Sequence, residues 1–208
     1  MNYMINEPIV VKHRADVDGS QTAWNKLQAA RKLLNRQRAQ GAAALHTLFR
    51  SGRVPDPALH GRYKGELLVI DIAPGFTQLV HWLANLWMPW LGKTFHTFRR
   101  RGDNIFSKDS YLVARFFNPG YRKFVTEGPL SYRAFAFHTY TGPGLADPDR
   151  IVFKIDYNLK ENPPLTVRRV LDELVQLADN VYLGKAHVHW WWRPAGSWQT
   201  AAYFTLTK

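Results

Sequence analysis

The sequence predicts a mainly β protein with helical additions: an antiparallel meander β-barrel preceded by an N-terminal helical segment. Three observations carry that expectation. Apolar residues recur at three- and four-residue spacing between about residues 20 and 50, the period shifts to two from Gly61 onward, and Gly or Pro separates most of the short runs that follow. Alternating βα units are missing, which disfavours a doubly wound parallel sheet.

Residues 1–19 read as a flexible N-terminus, 20–56 as a helical segment packed on the barrel, and 57–208 as the barrel domain with a helical lid near 77–88. In "DVDGSQTAW", Asp18 or Ser20 offers a helix cap, and Trp24, Leu27, Ala30 and Leu34 form an apolar stripe. The opposite face carries Lys26, Arg31, Lys32, Arg36 and Arg38. A second helical piece, "AAALHTLFR", follows Gly41 and ends at "SGRVPDP".

In "GRYKGELLVID", Tyr63, Gly65, Leu67 and Val69 fall on one face and Arg62, Lys64 and Glu66 on the other, as in a half-buried strand. Further strands are expected in "KTFHTFRR", "SYLVARFF", "RKFVTE", "SYRAFAFHTYT" and "RIVFKIDYN". "TVRRVLDELVQL" reads as a short helix with Val167, Val170, Leu171 and Leu174 as its stripe, leaving Asp172 and Glu173 as solvated charges. "NVYLGKAHVHWWW" and "WQTAAYFTLT", joined by "RPAGS", read as a closing hairpin.

The stretch "TQLVHWLANLWMPWLGKTFH" is too interrupted for a membrane span: Pro74, Gly75 and Pro89 break the apolar run and Asp71 and His81 burden it. What remains is a short helix with Leu79, Val80, Leu83, Leu86 and Trp87 on one stripe and His81, Trp82 and Asn85 off it. It is expected to be a lid, with interfacial docking and plug packing as alternatives.

The chain has 208 residues and no cysteine, which removes disulfides and thiol chemistry and fits a reducing compartment. The opening residues do not form a secretory signal, so the expected location is cytoplasmic, with peripheral membrane association as a variant. The net charge of +12 favours anionic partners. Nucleic acid is disfavoured, because no recognised motif accompanies the basic clusters at Arg31–Arg38 and Arg99–Arg101. An anionic membrane surface stays open as a partner, since tryptophans adjoin arginines.

"GRYKG", Gly61 to Gly65, resembles the Gly-x-Trp motif that opens the first barrel strand of lipocalins and other calycins, with Tyr63 in the aromatic place. The tail from Asp172 onward is similar to the barrel-closing end of uncharacterised bacterial proteins grouped loosely with calycins. The resemblance covers roughly residues 61–208 in strand order and five residues in motif. It implies an internal apolar cavity open at one end; it does not imply catalysis.

An eight-stranded barrel is wide enough to be filled by side chains or to hold one small ligand. Strict alternation in "SYRAFAFHTYT" puts Tyr132, Ala134, Ala136, His138 and Tyr140 on one face, suited to a cavity wall, with Phe135 and Phe137 opposite; the reverse assignment stays open. Ligand-binding candidates are Tyr63, Trp82, Trp87 and Tyr111, together with Tyr132, His138, Tyr140 and His189. Catalytic candidates for acid–base work with an arginine clamp are His138, Tyr140, Tyr132 and Arg115.

His187 and His189, two apart on a strand, are the metal candidates, with His138, Asp156 or Glu66 as a third ligand; without a supporting motif, no metal, haem or other cofactor is expected. Lys154 and Asp156 share a face with Tyr157 opposite and read as an exposed ion pair, with a buried acid and base pair that orients a ligand or takes a proton as the alternative. No nucleophile elbow, phosphate loop or dinucleotide fingerprint is present. The leading expectation is therefore binding of a small, largely apolar ligand, with an acidic group as a variant. A cofactor-free isomerase, cyclase or decarboxylase and a membrane-surface or interaction protein are the alternatives.

Overall fold

The computed structural model describes residues 8–56, 58–70, 90–118, 120–190, 194 and 196–208. Two helices come first, α1 (Pro8–Arg36) and α2 (Arg38–Ser51). The break between them is at Gln37, whose φ of −146° and ψ of 82° are not helical. Thus α1 already includes Asp18 and Ser20, and the helix reaches back into the stretch expected to be loose.

Among the described residues nine strands follow: β1 (Gly61–Ile70), β2 (Trp90–His96), β3 (Arg101–Ser107), β4 (Val125–Glu127), β5 (Ser131–Pro143), β6 (Ile151–Asp156), β7 (Val170–Ala178), β8 (Val181–Val188) and β9 (Gln199–Thr207). All pairings are antiparallel, and the strand order β3-β2-β1-β9-β8-β7-β6-β5 is closed by pairing of β3 with β5. The result is a closed eight-stranded meander barrel, with the short β4 appended to β5. A further helix, α3 (Tyr111–Phe117), lies between β3 and β4.

Three elements differ from expectation, each for a visible reason. "SYLVARFF" is the helix α3 and not a strand; a 3-10 turn over Lys108–Ser110 leads directly into it. "RGDNIFS", which lacks strand alternation, is β3, held on both sides by β2 and β5. "TVRRVLDELVQL" is not helical beyond a 3-10 turn at Val167–Arg169; it becomes β7, buried on both faces from Val170 to Gln176. A run apolar on both sides satisfies a helical stripe and a doubly covered strand equally well, so periodicity alone could not choose.

The interior is largely aromatic. Tyr63, Phe95, Phe106, Tyr132, Phe135, Phe137, Tyr182 and Phe204 belong to one buried cluster, packed at angles such as the 87° between Tyr63 and Phe95. A second cluster lies outside the barrel wall. There Leu27 and Ala30 of α1 and Leu45 and Phe49 of α2 pack on Val152, Val175, Leu183 and Tyr203. The α1 stripe is rotated from expectation, because Ala23 is buried and Trp24 is 36% exposed. Gly41 lets α2 cross α1 closely, since a Cβ there would lie 2.4 Å from the Leu34 backbone nitrogen.

The barrel's two ends differ. At one end β2–β3, β5–β6 and β7–β8 are joined by short turns, the last a hairpin with Asn180 at φ 59°. At the other end emerge the longer connections after β1, β3, β6 and β8. The segment expected to be a lid joins β1 to β2 there and lies outside the described residues.

Close packing of the interior gives a direct test. A Cβ on Gly184 would lie 2.2 Å from the Phe204 ring, so Gly184→Ala is expected to lower unfolding free energy by about 1–3 kcal/mol. Urea titration checks it: the midpoint falls with unchanged slope, and an unaltered midpoint would show that the interior is looser than described.

Candidate functional site

Period two on β2 puts Lys93 on the same inward face as Phe95, and on β7 it puts Asp172 between Val170 and Leu174. Both charged residues therefore enter an apolar interior, 3% exposed each. Lys93 Nζ lies 2.9 Å from Asp172 Oδ2. β2 and β7 are four strands apart in either direction around the barrel, so this contact spans its cross-section.

Two neutral groups complete a quartet. Lys93 Nζ donates to Asn104 Oδ1 at 2.8 Å and also to the Tyr157 hydroxyl. The Tyr157 hydroxyl donates to Asp172 Oδ2 at 3.0 Å. Asn104 Oδ1 also accepts from Trp90 Nε1 at 3.1 Å, while its Nδ2 donates to the Phe135 carbonyl at 3.2 Å. The three ammonium protons thus have three acceptors. The ammonium is also 5.1–5.5 Å from the rings of Trp90, Phe137, Tyr157 and Phe204, which add cation–π attraction.

Burial pushes the Lys93 ammonium below its ordinary value, with Asp172's charge and hydrogen bond pushing back. Burial, reinforced by the Asp172 charge, pushes the Tyr157 hydroxyl well above its ordinary 10.0. Tyr157 is therefore a proton donor throughout the neutral range. Asp172 Oδ1, by contrast, is buried without a hydrogen-bond partner among the described residues.

A cavity of about 40 Å³ adjoins the quartet, walled by Trp90, Phe106, Phe135, Val167, Val170 and Phe204. A single water occupies about 10–15 Å³ on this scale, so the space corresponds to roughly three waters. It is placed toward the end of the barrel with the long connections, between the starts of β2 and β7 and the end of β6.

The outer faces of β6, β7 and β8 carry two further buried charge clusters among the described residues. Glu173, fully buried, accepts from Lys154 Nζ at 3.1 Å and Leu145 N at 2.6 Å through Oε1, and is 3.1 Å from His187 Nε2 through Oε2. Burial pushes Glu173 up, but the bonds from His187 and Leu145 and the charge of Lys154 outweigh it and leave the carboxyl below its ordinary value. Lys185, also fully buried, donates to Asp147 Oδ2 at 2.5 Å and lies 4.1 Å over the Phe49 ring. Arg50 of α2 bonds Asp147 at 2.7 Å, tying helix to barrel.

The sequence-derived candidates are dispersed. Phe135 adopts a φ of 55°, and the β3–β5 register shifts beside it. This bulge breaks the assumed alternation: Tyr132 and Ala134 are in the inner cluster, Phe135 and Phe137 are inward too, and His138 and Tyr140 turn to the outer surface. There His138 stacks on Tyr140 at 5.6 Å and lies 3.6 Å from Asp156. Tyr132 bonds Ser110 at 3.1 Å and packs with Tyr111 and Phe124, away from the cavity. Arg115 is exposed, 3.5 Å from the Tyr111 hydroxyl.

Tyr63 packs against Phe95 and Tyr182 and does not line the cavity. His189 faces an outer cleft, whereas His187 is buried against Glu173 and Thr200. Among the described residues no group of three His, Cys, Asp or Glu is placed to hold a metal ion. Trp82 and Trp87 lie outside the described residues. Lys154 is not an exposed partner of Asp156 but is buried against Glu173, and Asp172 and Glu173 are core charges.

Sequence reasoning missed Lys93, Asn104 and Asp172, and left Tyr157 unassigned. A signal existed for two of them: a charge at period two with Phe95, or with Val170 and Leu174, is a charge on an inward face. Asn104 had none, because β3 itself was not legible.

The chain matches no protein-family model and no curated protein. A solved structure described as the crystal structure of a protein from Thermomonospora curvata aligns at a TM-score of 0.49 and 14% identity, covering 88% of this chain and 98% of that one. Likeness at that level carries no argument about function. No described helix is long and apolar enough to cross a membrane.

Glu173 ionises below its ordinary 4.5 in the folded protein, so its stabilisation is complete above pH 4.5 and is lost as pH falls through the lower folded value. Glu173→Gln is expected to cost about 3–5 kcal/mol near neutrality and to flatten the acid limb of the stability curve. Denaturant melts between pH 2 and 7 check both; an acid limb as steep as the parent's would remove Glu173 from this role.

Proposed function

We propose that the barrel binds a small molecule at the Lys93–Asn104–Tyr157–Asp172 quartet, the occupant having a flat apolar body and one hydrogen-bond donor. The observation that carries this reading is the buried Asp172 Oδ1, unpartnered among the described residues, on a side chain that lines an aromatic-walled cavity. A buried carboxylate oxygen without a donor is unfavourable by about 1–3 kcal/mol or more. A hydroxyl, amine or amide N–H from a ligand removes that penalty, while Trp90, Phe106, Phe135 and Phe204 receive the apolar body.

The proposal narrows the expectation from sequence. Lys93 already faces Asp172, so the polar end of the cavity is electrically balanced and has no spare cation for an acidic ligand. A donor group fits the quartet better than a carboxylate does. The calycin-like resemblance is compatible with a ligand held inside the barrel, and the small cavity limits that ligand's size or requires a wall residue to move.

The alternative of acid–base catalysis by His138, Tyr140, Tyr132 and Arg115 loses its basis, since these groups do not converge on one site.

Phenol, a planar ring with one donor, is the probe. Titration followed by ¹H–¹⁵N shifts is expected to show saturable changes at Lys93, Asn104 and Asp172. Asp172→Asn is expected to weaken binding about tenfold, the loss of a hydrogen bond to a charged acceptor. Toluene, lacking the donor, is expected to bind no better to the parent than to the variant. Absence of saturable shifts, or equal phenol affinity in a folded Asp172→Asn variant, would overturn the reading.

A further inference from the structure

A second concavity lies on the outside of the barrel wall, separate from the interior cavity. It is a cleft of about 430 Å³ between the 3-10 turn Val167–Arg169 and the residues His189 and Trp198. Arg168, Arg169, His189, Trp198, Leu171 of β7 and one carboxylate, Asp156, line it. We infer that this cleft binds a small-molecule oxyanion, a carboxylate or phosphate group, held by Arg169 and Arg168.

The argument begins with hydrogen-bond accounting. Arg169 Nε is buried and has no hydrogen-bond partner among the described residues. Its Nη1 is 3.3 Å from His189 Nδ1. An arginine can only donate, so Nδ1 must accept, and His189 carries its proton on Nε2, 3.3 Å from the Pro194 carbonyl. Both imidazole nitrogens are thereby committed to orienting the guanidinium. Arg168 Nε donates to Asn158 Oδ1 at 3.0 Å, a neutral partner.

Among the described residues, neither guanidinium has a carboxylate partner; Asp156 lies 3.6 Å from His138 Nε2 instead. Two adjacent cations thus share one concavity with only neutral groups bonded to them. Backbone hydrogen bonds fix the points from which the two side chains project. Arg169 N donates to the Thr166 carbonyl at 3.1 Å and its own carbonyl accepts from His189 N at 2.9 Å, fixing the turn to the end of β8.

The free Nε–H makes the site directional. A guanidinium presents paired N–H groups in a plane, and a carboxylate or phosphate accepts two of them at once. Nη1 is bonded to His189, so the edge formed by Nε and Nη2 is the one left without a partner among the described residues; Nε itself is buried, and a ligand oxygen reaches it through a small shift of the side chain. Trp198, tilted against His189 with ring centroids 5.6 Å apart, and Leu171 offer contact to an apolar body beyond the anionic group. The overall charge of +12 adds long-range attraction for anions.

Benzoate and inorganic phosphate are the two probes, and isothermal titration with parallel ¹H–¹⁵N spectra is the measurement. Saturable binding of either, with shifts at Arg169 and His189, is expected; which probe binds more tightly distinguishes carboxylate from phosphate recognition. Arg169→Gln is expected to weaken binding at least about tenfold, and Arg169→Lys to restore little, because an ammonium cannot reproduce the planar fork. Arg168→Gln, which leaves the buried turn untouched, is expected to weaken binding several-fold. Saturating phenol is expected to leave anion affinity unchanged, which separates this cleft from the interior cavity. Neither probe binding, or parent-like affinity in Arg169→Gln and Arg168→Gln variants that melt at parent temperatures, would overturn the inference.

Discussion

The contact between Lys93 and Asp172 organises the barrel, because it joins opposite walls of the ring of strands through the middle of the core. Two ions taken from water lose several kcal/mol of hydration each. That loss is recovered only if the remaining lone pairs and protons are satisfied, and the surrounding residues do this: Asn104 and Tyr157 fill the ammonium's valence, and four aromatic rings face its charge. The arrangement fixes the relative positions of β2, β3, β6 and β7. Closure of β3 onto β5 and the bulge at Phe135 fall within the same layer, since Asn104 bonds the Phe135 carbonyl.

The same strands carry charge on their outer faces, and there the solution is different. β7 and β8 are covered outside by α1 and α2, so Glu173, Lys185 and His187 are as dry as Lys93 within. Each is paired: Glu173 with Lys154 and His187, Lys185 with Asp147, and Asp147 in turn with Arg50. Burial of a strand on both faces normally produces a continuous apolar run. Here the run is interrupted by charges on both sides, which is why the helices cannot be treated as a greasy cover alone. Arg50 couples α2 to the barrel through the loop that carries Asp147.

Legibility from sequence follows this division. β1, β5, β6, β8 and β9 each alternate or are bounded by turn residues, and their order alone implies a meander that closes with a hairpin. β7 was not legible because Val170, Leu171, Leu174 and Val175 satisfy a helical stripe, and the coverage that buries both faces is a tertiary fact. β5 was legible as a strand but not in its facing, since one residue at positive φ reverses everything beyond it. That single residue moved His138 and Tyr140 from the predicted cavity to the surface. The charges of the quartet were present in the pattern, as Lys93 with Phe95 shows. Reading a lone lysine as inward, however, requires knowing that Asp172 waits four strands away.

Charge placement separates the chemistry the two concavities suit. The protein carries an excess of twelve positive charges, yet among the described residues the quartet in the interior holds one cation against one anion. A low-dielectric cavity that already contains a balanced pair disfavours a further net charge and favours a neutral molecule that satisfies a leftover lone pair. The outer cleft is the reverse case. Its guanidiniums are held by backbone and imidazole contacts, without a matching carboxylate among the described residues, so the excess is concentrated where an anion can reach it. The 3-10 turn that divides them contributes Val167 to the inner wall and Arg169 to the outer one. One strand's thickness thus separates an aromatic, charge-balanced pocket from a cationic one, and the alternation of β7, with Asp172 inward and Leu171 outward, makes that separation a property of the backbone.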